Sequence, residues 1–386
     1  MREVYLDNSA TTPVLPTVAA LMQHVLVEDF GNPSSLHRKG VVAERIKTEA
    51  RRTLAAACGV GESQFYFTSG GTEANNLAIK GVARRRKRRG THLLTTKIEH
   101  PSVLYAFRAL EAEGFTVTYL DVNHQGFVEP AAVAAALQDD TILVSMMHVN
   151  NEVGIILPVA AVGQLIKQRN PDILYHVDAV QSFGKLPVRP QDWQADLVTI
   201  SAHKIHGPKG TGALYKREAI LLEPLLHGGD QESGVRPGTE NTAGIAGFAK
   251  ATELALRCRE ENLMQMQKLK ERFLARLLAT ISDITVNSSP AGAPHILNIN
   301  VAGIKGEVLV HALEEHGVYI STGSACHSQR AGPSHVLLAM GRKEKEIAAT
   351  LRISFSSQTT EDEIDYALVR LQEAVHSLRL FTRRSK

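Results

Sequence analysis

The segment SAHKIHGPKGTG, residues 201–212, places Lys204 directly after the apolar run LVTI and before a second strand-like run, GALY. A lysine at the carboxyl end of a sheet strand stands where ligands of open α/β sheets bind. Shielded from water there, its amine loses its proton more readily and becomes a nucleophile for Schiff-base formation. By itself the position reads as a surface lysine, and two further segments change that. In HVDAVQ, residues 176–181, Asp178 closes the apolar run LYHV, where a buried carboxylate needs a cation; a protonated pyridine nitrogen is one such cation. In TSGGTEANNLAIKG, residues 68–81, a Gly-Gly turn opens a helix. Backbone N–H groups from Gly71 onward, with the Ser69 and Thr72 hydroxyls, make a seat for a phosphate. The spacing is neither GxGxxG nor GxxxxGK[ST], so a nucleotide is not specifically indicated. A turn-capping aspartate and a plain helix cap are the simpler readings of these two segments. In that order on one sheet, phosphate seat, carboxylate and strand-end lysine together meet the needs of pyridoxal phosphate.

A second kind of nucleophile appears near the carboxyl end. Cys326 lies in STGSACHSQRAGPSH, among small and polar residues with glycine and proline nearby, a composition that favours an exposed loop. Cys58 in LAAACGV and Cys258 in ELALRCRE have apolar neighbours and read as structural. Three scattered cysteines without a CxxC pair suggest neither a disulfide framework nor a structural metal, so no metal is expected.

The elements that must position these groups follow from the pattern of short apolar runs alternating with helical stretches between about residues 40 and 250. That pattern predicts an α/β fold with a mainly parallel sheet covered by helices. Strands are expected at Gln64 to Thr68, His92 to Thr95, Thr116 to Leu120, Ile142 to Met147, Leu174 to Val177, Leu197 to Ile200 and Gly212 to Tyr215. A single long connector helix is expected from Thr242 to Thr280. The remainder, with HILNINV, GVYIST and LRISF among helices, predicts a smaller α+β domain. The expected division is a large cofactor-binding domain over 14–258, and a small domain formed by 1–13 and 259–386 with the cysteine loop at about 321–335.

The 386 residues, 44% hydrophobic and 22% charged, are an ordinary globular composition, which sets aside disordered and fibrous classes. A net charge of +3 calls for neither nucleic acid nor an anionic membrane. The opening MREVYLDNSATT carries Glu3 and Asp7 and no long apolar run, so neither a secretory signal nor a membrane span is expected, and the expected location is the cytoplasm. The six consecutive cations Arg84 to Arg89 are read as the end of a helix before Gly90, where positive charge complements the helix dipole; a contact with nucleic acid or an acidic protein is the sharper alternative.

Along nearly its whole length the sequence resembles the cysteine desulfurases of the NifS/IscS family, which have the aspartate-aminotransferase-like fold. The resemblance rests on YLDNSATTP, GNPSS, TSGGTEANN, EHPSV, MHVNNEVG, HVDAVQSFGKLP, SAHKIHGPKGTG, RPGTEN, STGSAC, PSHVLLAMG, LRISF and TTEDEID in that order. It implies that Lys204 carries pyridoxal 5'-phosphate, that Thr72, Ser201 and His203 bind its phosphate beside Gly71, and that Asp178 pairs with the ring nitrogen. It further implies that His100 lies over the ring and assists proton transfer, and that Asn150 and Gln181 contact ring substituents, with Asn150 also near the substrate. Arg352 would bind the substrate carboxylate by a planar two-point pairing. Thr239 would reach a neighbouring subunit's phosphate, implying a homodimer. Cys326 would take sulfur from L-cysteine as a persulfide, releasing alanine, and pass it to an acceptor protein, an iron-sulfur scaffold or a tRNA-thiolation enzyme. Departures from the family pattern include HSQRAGPSH after the cysteine, and Ser356-Ser357 where relatives commonly carry Gly-Arg. A selenocysteine lyase or another carbon-sulfur lyase of the same fold, transamination, and a non-enzymatic sulfur carrier remain the competing readings.

Overall fold

The computed structural model describes residues 2–323 and 332–384, so Cys326 and its immediate neighbours lie outside the described residues. The strands are β1 (Val4–Tyr5), β2 (Phe65–Thr68), β3 (His92–Thr96), β4 (Thr116–Leu120), β5 (Thr141–Met147), β6 (Leu174–Asp178), β7 (Leu197–Ser201), β8 (Gly212–Lys216), β9 (Ile284–Val286), β10 (Ile296–Val301), β11 (Val318–Tyr319) and β12 (Thr350–Ser354). The helices used below are α1 (Pro16–Val27), α2 (Arg38–Cys58), α3 (Gly71–Arg86), α4 (Pro101–Ala112), α5 (Pro130–Ala136), α6 (Val159–Arg169), α7 (Thr242–Arg257), α8 (Arg259–Thr280), α9 (Gly306–Glu314), α10 (His335–Ala339), α11 (Glu344–Ile347) and α12 (Glu361–Arg384). All seven strands expected between residues 64 and 215 form, with ends within one residue of the expected ones.

They make one seven-stranded sheet in the order β2-β8-β7-β6-β5-β3-β4. β8 runs antiparallel to both of its neighbours, and the other pairings are parallel. Adjacent residues on a strand point to opposite faces, and the apolar pairs show it. Leu93, Leu143, Leu174 and Leu197 pack with Leu77 and Phe107 of α3 and α4, while Leu94, Val144, Tyr175 and Val198 pack with Leu54, Ile166 and Phe248 of α2, α6 and α7 on the other side. Apolar residues on both faces are what a sheet covered twice requires. All parallel strands therefore present their carboxyl ends to one edge, where β8 begins at Gly212. A Cβ there would come 2.6 Å from the Gly70 carbonyl carbon, so glycine lets the turn before α3 lie against this edge.

A second apolar core joins β1, α8, β10, α9, β12 and α12. Its sheets are β12-β10-β9, antiparallel, and the parallel pair β1-β11. The single connector helix expected over 242–280 is two helices, broken at Cys258 with φ −122° and ψ 31°. The apolar faces explain the break: Ile245, Phe248 and Ala251 of α7 belong to the first core, whereas Met266, Leu269, Phe273 and Leu277 of α8 belong to the second. α10 also crosses over, seating Val336, Leu337 and Met340 in the first core.

The basic run ends α3, and half of it is held internally. Arg84 forms a two-point pair with Glu113 (3.0 and 2.8 Å), Lys87 donates to the Glu113 carbonyl (2.9 Å) and Arg86 donates to the Asp172 carbonyl. Among the described residues, no helix is long and apolar enough to cross a membrane.

Candidate active site

A cavity of about 410 Å³ opens at the carboxyl edge of the sheet, walled by Gly71, Thr72, His100, Asp178, Gln181, His203, Lys204 and Arg352 among others. Eight of the residues expected from the sequence thus converge, although they span 281 positions of the chain. Lys204 ends a single 3-10 turn, Ala202–Lys204, directly after β7, and is 9% exposed. Its amine donates to the carbonyls of Ser9 and Ala10, the latter at 2.7 Å, so the segment DNSATT forms the lip over the lysine.

Asp178 is the last residue of β6, and β6 pairs with β7 through Asp178 and Thr199. Its carboxylate accepts from the Val180 N–H (3.0 Å) and from the Asn75 amide (2.8 Å). Burial pushes its pKa up, against the pull of those two hydrogen bonds and the Lys204 charge. A carboxylate so placed gains from an N–H⁺ donor brought into the cavity. Further acceptors wait in the same wall: the side-chain oxygens of Asn75 and Gln181 are buried and have no hydrogen-bond partner among the described residues, while the Gln181 amide donates to Ser9 (3.0 Å). The first N–H groups of a helix lack intrahelical partners, and Gly71 and Thr72 bring those of α3 to the cavity. His203, with Nδ1 3.2 Å from the Thr11 hydroxyl, is pushed down to about 3 by burial and by the Lys204 charge, and so stays neutral. These groups fit a phosphorylated pyridine aldehyde: an anion seat at α3, an anion facing the ring nitrogen, an amine at the third point.

His100 both caps α4, its Nδ1 accepting from the Ser102 N–H (3.2 Å), and lines the cavity. Arg352 is 2% exposed and held in place by Asp7 (2.7 Å) and by the carbonyls of Asn151 (2.9 Å) and Gly323 (3.2 Å).

Three expected residues stand elsewhere. Asn150 is fully buried and does not reach the cavity: its amide donates to the Ile98 carbonyl and its oxygen accepts from the N–H groups of Glu152 and Val153, which shapes the turn instead. Asn151, next along, is the one on the wall. Ser201 lies behind the wall with its hydroxyl on the Thr211 carbonyl. Thr239 is exposed and borders a different hollow with Ser69 and Arg236. Cys326 lies outside the described residues.

Sequence reasoning passed over Ser9, Asn75, Asn151 and Glu152, all on the wall. Asn75 was open to inference, one helical turn after Gly71 and on the same face. It also passed over Glu99, which sits fully buried beneath the site, accepting from the Thr96 hydroxyl (2.7 Å) and the Met147 N–H (3.0 Å). Burial pushes its carboxyl up to about 8, with Asp178 adding to the effect.

The pattern of the aminotransferase class-V family matches residues 4–367. The chain is 42% identical over 379 residues to a cysteine desulfurase IscS of Dictyoglomus turgidum, an alignment covering 98% of this chain and 96% of that one. A solved NifS-like protein superposes with a TM-score of 0.92 at 37% identity, covering 97% of this chain and all of the other. SspA, solved in complex with cysteine, superposes with a TM-score of 0.83 at 35% identity, covering 92% and 100%.

Proposed function

The chain belongs to the aminotransferase class-V family, and from that premise we propose that it is a pyridoxal-phosphate-dependent cysteine desulfurase, converting L-cysteine to L-alanine and passing the sulfur on. The observation that carries this reading is the meeting of Lys204 with buried Asp178 on neighbouring strand ends, facing the bare amino terminus of α3. Relatives named cysteine desulfurase and a neighbour solved with cysteine support the choice of substrate.

Pyridoxal phosphate supplies an electron sink for the negative charge left at the substrate's α carbon. The chain's own residues do the rest. Gly71 and Thr72 at α3, with His203, would hold the phosphate, Asp178 would keep the ring nitrogen protonated, and Gln181 and His100 would contact the ring. Lys204 would hold the cofactor, and its Nζ would move the α proton of the substrate. The guanidinium of Arg352, oriented by Asp7, binds the substrate carboxylate. Asn151 takes the wall position first expected for Asn150. The Cys326 thiolate attacks the substrate sulfur. An S–S bond forms as the C–S bond breaks, its electron pair stays with the three-carbon product, and protonation there gives alanine, leaving a persulfide on the enzyme.

The sulfur acceptor belongs to the same reading, as an iron-sulfur scaffold or a tRNA-thiolation protein, and so does a cytoplasmic location. So does the division of the chain near residue 258. A homodimer is supported by Leu26, Val27, Phe30, Leu36 and Val41, large apolar residues left exposed on and between α1 and α2, and by the outward placement of Thr239. The test is the product: the holoenzyme given cysteine is expected to release alanine and load one persulfide sulfur per chain. Keto-acid formation, or full turnover by Cys326→Ala, would overturn the route.

A further inference from the structure

A second cavity, about 330 Å³, shares only Lys204 with the first. It lies where five segments meet: the amino-terminal stretch from Asn8 to Leu15, the Gly184-Lys185 turn after β6, the turn from Lys204 to His206, the junction of α7 and α8, and the Phe355–Gln358 exit from β12. No aspartate or glutamate lines it among the described residues, yet Lys185, Arg257 and Arg259 do.

Among the described residues, those cations have no carboxylate partner of the kind found elsewhere in the molecule. Arg51, Lys167 and Arg352 each hold a carboxylate at 2.6 to 2.7 Å. The Lys185 amine instead donates to two carbonyls, Lys204 at 2.8 Å and Gln181 at 3.5 Å, which uses two of its three donors. Burial and the Lys204 charge push it down to about 7, so an anion brought beside it would favour its charged form. Ser356 and Ser357 also line the cavity and bring short hydroxyl side chains there. The rest of the lining includes the apolar side chains of Leu15, Leu254, Met266 and Phe355. A cavity lined by both cationic and apolar side chains suits an organic anion better than an inorganic one, because a bare oxyanion would leave the apolar lining wet.

We propose that this cavity is a second, non-catalytic site for a small aliphatic carboxylate, its head group held by Lys185, Arg257 and Arg259 and its hydrocarbon against Leu254, Met266 and Phe355. Because Lys185 holds the backbone carbonyl of Lys204, the occupant touches the turn that carries the catalytic lysine without entering the catalytic cavity.

The test is calorimetric titration of the cofactor-loaded protein with butyrate and, separately, with sulfate, which needs no activity and stands whether or not the desulfurase reading does. Saturable butyrate binding is expected, at least about tenfold weaker in Arg259→Gln and in Ser357→Glu, the second of which sets a negative charge on the wall without removing a cation. Sulfate is expected to bind at least about tenfold more weakly than butyrate. Absence of saturable butyrate binding, or equal affinity in wild type and both variants, overturns the site. Sulfate binding as tight as butyrate overturns the carboxylate assignment.

Discussion

On the wall formed by the large sheet, Asp178 and Lys204 stand at the ends of adjacent, hydrogen-bonded strands, and each is set by the strand that carries it. On the facing wall Arg352 comes from β12, and its anchor Asp7 lies 345 residues earlier, beyond β1. The first wall is local in construction: rigid strands deliver chemistry at their ends. The second is assembled from both ends of the chain, so binding there depends on the second core being intact. Reactivity should therefore be separable from stability on the sheet side and coupled to it on the Arg352 side.

Lys204→Ala offers the largest effect. Cysteine turnover is expected to fall by at least about 10⁴-fold, the upper range for a positioned proton-transfer group, with little change in melting temperature; parallel loss of both in a thermal melt would erase the contrast. Asp178→Asn is expected to lower kcat by roughly 10²-fold or more while cofactor absorbance persists, since one electrostatic partner of the developing charge is lost. Arg352→Gln should behave differently, raising KM for cysteine and destabilising the fold by about 3 kcal/mol as Asp7 loses its buried partner, measured by denaturant unfolding. An Arg352→Gln protein as stable as wild type would show that the second wall is as independent as the first.

The Glu99 carboxyl provides a finer probe beneath the sheet wall. With its folded-state pKa raised to about 8 from the ordinary carboxyl value of 4.5, the folded chain binds the extra proton, so this contribution to stability is full below about 4.5 and is lost as pH rises through about 8. Glu99→Gln should remove a slope of at most about 1.4 kcal/mol per pH unit across that window, read from unfolding at several pH values. The smallest effect is expected at Arg85, exposed in the basic run without an ion pair among the described residues: Arg85→Ala should change stability by less than about 0.5 kcal/mol, against up to about 1 kcal/mol for Arg84→Ala, which breaks the Glu113 pair.

The strand pattern, the order of the motifs and the types of the reactive residues were legible in the chain because period-two apolar runs and glycine turns act locally. Lys204 after LVTI and Asp178 after LYHV could be placed at strand ends from neighbouring residues alone. Tertiary structure decided what local pattern cannot encode. It chose Asn151 over Asn150 for the wall, because the Asn150 amide is bound to the distant Ile98 carbonyl. It broke the connector at Cys258, because its two halves serve different cores. It brought Asp7 to Arg352, and it gathered Lys185 and Arg259 around one cavity without a carboxylate among the described residues that line it. Each of these depends on which distant surfaces exclude water together, a property of the packed chain rather than of any segment of it.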